Sequence, residues 1–253
     1  MLLDPRLDAY FSYFTGALWV LLIVLYLVRI ASRGAFVSER VAKIGGTVMV
    51  GRGIMDATYW AIDPLVRGLA AVGITPNHLT WSALVLGLGA GAACGFGWYG
   101  LACLLGTMST IGDILDGQVA RITKTGSNRG ELLDAAVDRY TEFAFLAGVT
   151  LWVRATWWAM CLALGALLAS YMVSYASAKA EAMQVEAPRG LMRRHERATY
   201  LIAGAGLTPV LGPLAVRHSL PYETPMLIMV AVVALIGNLA AVQRFVRIGR
   251  ALR

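Results

Sequence analysis

The feature that most constrains the fold of this chain is a long run without charge. Residues Gly68–Gly112 contain no Asp, Glu, Lys or Arg. About 20 apolar residues form a helix that crosses a bilayer, so this run is long enough for two crossings. The glycine-rich segment Gly95–Gly100 predicts the break between them. Only 15% of the chain is charged, whereas a soluble domain has about 25%, so both observations indicate an integral membrane protein.

The same criterion predicts seven membrane-spanning helices and an all-α fold, a polytopic membrane helix bundle. Beyond the two helices in the uncharged run, we predict spans at Ala9–Val28, from Gly130 to just before Arg154, and at Thr156–Ala178, Ala198–Val216 and Thr224–Gln243. The chain then divides into an extra N-terminal transmembrane helix (1–31), juxtamembrane interfacial helices (32–67) and a membrane domain of six helices (68–253). The interfacial helices are predicted from apolar residues at helical spacing, which are Val37, Val41, Ile44 and Val48.

The distribution of basic residues predicts the orientation in the membrane. If the polar segment between residues 113 and 138 faces the cytoplasm, only Arg6, Arg154 and Arg217 of the 22 Lys and Arg residues lie outside. Such a bias follows the positive-inside rule, with the N-terminus outside and the C-terminus inside. The net charge of +7 does not indicate nucleic-acid binding, because no basic run is interleaved with aromatic residues.

Four aspartates form two pairs within the predicted third and fourth spans. Asp113 and Asp116 are three residues apart, and Asp134 and Asp138 are four apart, so each pair shares one helix face. A short loop lets the two helices run antiparallel with these faces opposed. A carboxylate in the hydrocarbon layer costs several kcal/mol unless it is paired, hydrated or bound to a metal. Hard oxygen ligands without His or Cys favour Mg²⁺, Mn²⁺ or Ca²⁺ over zinc, and four carboxylates can hold two ions about 4 Å apart.

The residues beside the aspartates indicate a ligand that carries phosphate. Gly117 and Ala120 leave room for a ligand to approach the helix, and the Arg121 guanidinium suits a phosphate group. Together with metal-binding acids, these residues describe a nucleotide with a pyrophosphate. The alternative is that the aspartates only join helices through ion pairs with Arg121, Arg129 or Arg139. Four aspartates at this spacing make that alternative the weaker one.

This segment resembles the signature of the CDP-alcohol phosphotransferase family over 26 residues. The matched positions are Asp113, Asp116, Gly117, Ala120, Arg121, Gly130, Asp134 and Asp138. The resemblance implies a six-helix core, to which the first span is an addition. It also implies an enzyme that displaces CMP from CDP-diacylglycerol with the hydroxyl of an alcohol acceptor, as a homodimer in the plasma membrane of a prokaryote.

The resemblance also implies roles for single residues. All four aspartates would bind two ions, Mg²⁺ or Mn²⁺, and Asp138 would also be the general base that takes the proton of the acceptor. The residues implied to contact the CDP-lipid are Pro76, Asn77, His78, Leu79, Gly117, Ala120, Arg121, Ser127 and Gly130. No acid–base role is expected for His78.

A second basic segment bears on the acceptor. Ser177–Ala182 and Gly190–Arg197 resemble the corresponding segments of prokaryotic phosphatidylinositol phosphate synthases. The resemblance implies that Lys179, Arg194 and Arg197 bind a phosphate of the acceptor. Inositol 1-phosphate is then the first expectation, glycerol 3-phosphate the second, and an unphosphorylated alcohol such as inositol, serine or choline the third. The alternative is that these cations anchor the protein to anionic lipids of the inner leaflet.

Three other classes of protein are compatible with acids in a membrane. A divalent-cation carrier is disfavoured because the aspartate motif is not repeated in the second half of the chain. A metal-dependent lipid phosphatase would release phosphate without an alcohol acceptor. A non-catalytic assembly factor would not need an intact set of four aspartates.

Overall fold

The computed structural model describes residues 4–38, 41, 51–186 and 190–252. These residues contain helices and no strands, so the predicted all-α fold is confirmed. The helices are α1 (Pro5–Arg33), α2 (Arg52–Ala71), α3 (Pro76–Gly95), α4 (Tyr99–Thr123), α5 (Asn128–Trp152), α6 (Trp157–Ala182), α7 (Arg194–Arg217) and α8 (Thr224–Ala251).

Five of these helices, α1, α3, α6, α7 and α8, are long and apolar enough to cross a membrane. Helices α4 and α5 are each 25 residues long but contain the acidic motif, which lowers their hydropathy. The break between α3 and α4 falls at residues 96–98, within the predicted glycine-rich segment. The fold therefore agrees with the predicted polytopic bundle.

One boundary predicted from the sequence, at residue 67, falls inside a helix of the structure. The uncharged run begins at Gly68, but α2 continues to Ala71 and α3 begins only at Pro76. Gly73 has φ +77° in the intervening turn, a conformation that favours glycine. Proline suits the first turn of a helix because its missing N–H would have no partner there, so Pro76 sets the start of α3. The predicted boundary at residue 67 therefore lies inside α2, and the turn after Ala71 is the physical one.

Helix α2 packs on the acidic end of α4. Tyr59, Ile62 and Val66 of α2 form a buried cluster with Leu115 and Val119 of α4. Val41 belongs to the same cluster, whereas Ile44 and Val48 lie outside the described residues. Through this cluster, α2 packs against α4 on the side of α4 that faces away from the aspartates of α5.

Helix α3 lies between α4 and α5, the two helices that carry the four aspartates. It packs closely against both α4 and α5, which make little direct backbone contact with each other. The approach to α5 depends on glycine, because a Cβ at Gly91 would meet the backbone of Ala144, and one at Gly148 would meet the backbone of Gly91. Small residues permit such close helix packing in membranes. The aspartates of α4 and α5 therefore face each other across a gap instead of a packed interface.

The extra helix α1 is tied to α4 by a buried carboxylate. Asp8 is 4% exposed, and its two oxygens accept hydrogen bonds from the backbone N–H groups of Gly100 and Leu101, each at 3.0 Å. The first N–H groups of a helix have no partner within the helix, and its dipole favours an anion there. Helix α1 thus completes the N-terminus of the helix that carries Asp113 and Asp116.

We expect Asp8→Ala to lower the free energy of unfolding by about 1–2 kcal/mol, since two backbone donors of α4 lose their acceptor. Unfolding in detergent micelles, followed by circular dichroism, measures the change. Asp63→Ala is the matched control, because Asp63 pairs with Arg67 at an exposed site whose arginine side chain is 73% accessible. Equal losses in the two variants would show that the cap on α4 contributes nothing to stability.

Candidate active site

Three of the four aspartates form a compact oxygen cluster. One carboxylate oxygen each from Asp113, Asp134 and Asp138 lies within 4.8 Å of the other two. The Oδ1 atom of Asp134 is buried and accepts no hydrogen bond from the described part of the chain. A carboxylate has several acceptor positions to satisfy, and oxygen ligands at this spacing suit a hard divalent cation. The residues therefore fit the predicted kind of metal.

The fourth aspartate, Asp116, lies beside this cluster and has a different partner. It is 6% exposed, and its Oδ2 accepts a hydrogen bond of 2.7 Å from the Thr80 hydroxyl of α3. Helix α3 thereby fixes the orientation of one acid on α4. Sequence analysis did not identify Thr80, although its position one turn after Pro76 places it at the same end of the bundle.

Arg194 reaches the cluster from α7. Its Nη1 donates to both oxygens of Asp113 at 2.9 Å, and its Nη2 pairs with Oδ1 of Asp138. The guanidinium of Arg139 lies 3.6 Å from the other oxygen of Asp138. An arginine predicted to bind the acceptor thus lies directly beside residues predicted to bind metal.

The residues predicted to contact the CDP-lipid surround the end of the bundle that contains the aspartates. Ser127 caps α5, with its hydroxyl accepting a hydrogen bond of 3.1 Å from the Gly130 N–H. The side-chain oxygen of Asn77 is 3.9 Å from the position a Cβ would take at Gly130, so the first turns of α3 and α5 are adjacent. The first turn of α3 contains Pro76, Asn77, His78 and Leu79, and the last turns of α4 contain Gly117, Ala120 and Arg121.

The other two residues predicted to bind the acceptor differ in their surroundings. Lys179 is exposed in the last turn of α6. Arg197 is 1% exposed, and its Nε and Nη2 donate to the two carboxylate oxygens of Glu142 at 2.6 and 2.8 Å. Its Nη1 donates to the carbonyl of Met192 at 2.7 Å. Sequence analysis missed Glu142, and the signal that could have found it is its position one turn after Asp138.

Arg244 is a second buried arginine that sequence analysis missed. It is 6% exposed on α8, and it donates to the Ser177 hydroxyl at 2.8 Å and to the carbonyl of Leu191 at 3.1 Å. Its Nε is buried without a hydrogen-bond acceptor, and it pairs with no carboxylate among the described residues. The signal in the sequence is the first of three arginines that follow the apolar part of the last helix.

A cavity of about 60 Å³ adjoins Arg194 and Glu142, between α3, α4, α5 and α7. Hydroxyl groups of Ser109, Thr110 and Thr141 line it. One ordered water needs roughly 10–15 Å³ of such space, so the cavity has room for a few water molecules beside the acids.

The chain is similar to known proteins in sequence and in fold. The family model for CDP-alcohol phosphatidyltransferase matches residues 73–249. The chain is 33% identical over 150 residues to the phosphatidylinositol phosphate synthase of Mycobacteroides abscessus, covering 56% of this chain and 67% of that protein. It is 30% identical over 200 residues to the enzyme of the same name from Cutibacterium acnes, covering 76% and 95%.

Two crystal structures of Mycobacterium tuberculosis phosphatidylinositol phosphate synthase (PgsA1) share the fold. The structure with CDP-DAG bound has a TM-score of 0.64 at 25% identity, covering 73% of this chain and 92% of the other. The complex with manganese and citrate has a TM-score of 0.65 at 25% identity, covering 73% and 87%. That enzyme has therefore been crystallised with CDP-DAG and, separately, with manganese and citrate.

Proposed function

This chain belongs to the CDP-alcohol phosphatidyltransferase family, and from that premise we propose that it transfers a phosphatidyl group from CDP-diacylglycerol to inositol 1-phosphate and releases CMP. It is a metal-dependent transferase of phospholipid synthesis and an integral membrane protein. One observation carries the proposal. Asp113, Asp134 and Asp138 converge with Arg194 at one end of the bundle, so cation ligands and an anion-binding group share one site.

We assign the four aspartates as ligands of two divalent cations, Mg²⁺ or Mn²⁺, with Thr80 orienting Asp116. When bound, such cations neutralise the pyrophosphate of the CDP-lipid and the charge that develops on departing CMP. The assigned CDP-lipid contacts lie on the first turns of α3 and α5 and the last turns of α4. Helix α3 contacts both α4 and α5, so the three helices that carry these residues are neighbours.

Asp138 is assigned as the general base. It is 7% exposed, belongs to the acid cluster and pairs with the guanidinium of Arg194. In the reaction, the acceptor hydroxyl oxygen forms a bond to the phosphorus next to diacylglycerol, and the bond from that phosphorus to CMP breaks. The hydroxyl proton passes to the Asp138 carboxylate. Positioned carboxylates of this kind act in general base catalysis when the hydroxyl is within hydrogen-bond reach.

Three cations support a phosphorylated acceptor. Arg194 borders the acid cluster, and Lys179 is exposed in the last turn of α6. Arg244 is buried and has no carboxylate partner within the described part of the chain. A buried charge is costly unless an opposite charge compensates it, and an acceptor phosphate would supply that charge. The relatives named above are phosphatidylinositol phosphate synthases, which favours inositol 1-phosphate over glycerol 3-phosphate and over unphosphorylated alcohols.

A panel of acceptors tests the proposed function. Purified protein in lipid–detergent micelles receives labelled CDP-diacylglycerol, Mn²⁺ or Mg²⁺, and one acceptor, with a chelator as the metal control. We expect CMP and a labelled lipid product with inositol 1-phosphate, and neither product after chelation. A larger yield with glycerol 3-phosphate would reassign the acceptor. CMP release without any acceptor would indicate a hydrolase, and no release would indicate the carrier.

We expect Lys179→Ala to raise the KM for inositol 1-phosphate about tenfold, since a hydrogen bond between charged groups is worth about 1.5–3 kcal/mol. The KM for CDP-diacylglycerol should stay unchanged. Arg67→Ala is the control, because it removes another exposed cation, which pairs with Asp63. An unchanged KM combined with a new dependence of activity on anionic lipid would assign Lys179 to membrane anchoring.

We also propose that the protein is a homodimer in a prokaryotic plasma membrane, with the active site facing the cytoplasm and with α3–α8 as the catalytic domain. The positive-inside distribution of Lys and Arg supports the orientation, and the bacterial origin of the relatives supports the location. Labelling of single cysteines introduced at residues 127 and 217, in a variant whose three native cysteines are replaced by alanine, tests the orientation in intact cells. An impermeant reagent should label only residue 217.

A further inference from the structure

Two side-chain pairs join α5 to α7, one helical turn apart. The first pair is Asp138 with Arg194 at the acid cluster, and the second is Glu142 with Arg197. Residues three or four positions apart share a helix face, so each helix presents both of its partners to the other. The second pair is the more enclosed one, since the Arg197 side chain is 1% accessible and the Glu142 side chain 10%, against 34% for Arg194.

Arg197 also holds the backbone that precedes α7. Its Nη1 donates to the carbonyl of Met192, a residue with φ +61°. A non-glycine residue rarely adopts this left-handed conformation, which persists only where neighbouring contacts hold it. The next residue, Arg193, donates its N–H to the Glu196 carboxylate at 3.0 Å. Both contacts determine where α7 starts, and α7 starts at Arg194.

The surroundings of Arg197 make direct contact with an acceptor phosphate unfavourable. Each of its three guanidinium nitrogens already donates to a protein oxygen. A phosphate placed against Arg197 would also lie beside the Glu142 carboxylate, and like charges repel strongly where water is scarce. Among the residues that the structure describes, Arg194 pairs only with Asp113 and Asp138, which the proposed function assigns to cations.

We propose that Glu142 is a positioning residue that, through Arg197, fixes the start of α7 and thereby places Arg194 at the acid cluster. This inference rests on the proposed function for its catalytic consequence. The contacts themselves, from α5 through Arg197 to the Met192 carbonyl, do not depend on the substrate. Arg197 then contributes to acceptor binding through Arg194 and not by touching the acceptor.

Two conservative variants test the inference by kinetics. Glu142→Gln keeps the side-chain size but removes the charge, and Arg197→Lys keeps the charge but loses the bidentate geometry. We expect each to raise the KM for inositol 1-phosphate by about tenfold or more, the effect of losing a charged hydrogen bond, with the KM for CDP-diacylglycerol unchanged. Glu223→Gln is the matched control, since it makes the same chemical change before α8 at the opposite end of the bundle.

The two explanations of Arg197 predict different results for Glu142→Gln. If Arg197 touches the acceptor itself, freeing it from Glu142 leaves the acceptor KM unchanged or lowers it, while Arg197→Lys raises it. That combination would overturn the inference. A general loss of folding would lower the apparent kcat through the inactive fraction and leave both KM values unchanged. That result in Glu142→Gln and Arg197→Lys would also contradict the inference.

A measurement that does not depend on enzyme activity tests this inference separately from the proposed function. Trypsin cleavage after Arg193 reports how firmly the segment before α7 is held. We expect faster cleavage there in Glu142→Gln than in the parent and in Glu223→Gln. An unchanged cleavage rate would overturn the positioning role, whatever the acceptor panel shows. Faster cleavage combined with no lipid product in the acceptor panel would overturn only the proposed function.

Discussion

Asp138→Asn is expected to lower turnover by about 10²–10⁴-fold, the usual contribution of a general base. The amide has the size of the carboxylate but cannot take the proton of the acceptor hydroxyl. Three other aspartates and the assigned CDP contacts remain, so binding of CDP-diacylglycerol should be retained. Single-turnover release of CMP, with CDP-lipid binding measured by calorimetry on the same sample, separates the two effects.

The control for this substitution is Asp63→Asn, which changes an exposed aspartate paired with Arg67. Its turnover should match that of the parent. Equal turnover in Asp138→Asn and the parent would remove Asp138 as the base. Loss of CDP-lipid binding with an unchanged single-turnover rate at saturation would make Asp138 a ligand-binding residue only.

The second large effect concerns stability. Arg197→Met is expected to lower the free energy of unfolding by about 3–5 kcal/mol, because it leaves the Glu142 carboxylate enclosed without its partner. The double variant Glu142→Met, Arg197→Met should recover most of this loss, since apolar residues of similar volume often replace a buried ion pair without a stability penalty. Denaturant unfolding in micelles measures all three proteins.

Arg67→Met is the reference for this stability series. Its guanidinium is exposed, so the substitution should change the free energy of unfolding by no more than about 0.5 kcal/mol. A loss in Arg197→Met that is no larger than this would contradict a buried, stabilising pair. A double variant less stable than the single one would show that Glu142 has further partners.

Local patterns predicted most of the fold and the centre of the site. Hydropathy depends on adjacent residues, so the uncharged run and its glycine break gave the positions of α3 and α4. The spacing of Asp134 and Asp138 on one helix face is also a local property, because helical geometry alone determines it. The family signature then assigned functions to those positions without any knowledge of how the helices pack.

The parts that sequence reasoning missed depend on packing between distant helices. The position of α3 between α4 and α5 follows from close approach at Gly91 and Gly148, which a hydropathy pattern does not contain. Arg197 and Glu142 are separated by 55 positions and meet only because α5 and α7 are neighbours. For the same reason a basic cluster in the sequence could not distinguish the exposed Lys179 from the enclosed Arg197.

The carboxylate of Asp8 has a consequence for how this chain can change over evolutionary time. It supplies acceptors for two main-chain donors of Gly100 and Leu101, which lie at the end of α4 farthest from the aspartates. A descendant that lost the first thirty or so residues would leave those donors without this acceptor, and the first N–H groups of a helix have no partner within the helix. Trimming the protein to its family core would therefore require water or a side chain from elsewhere to cap that helix.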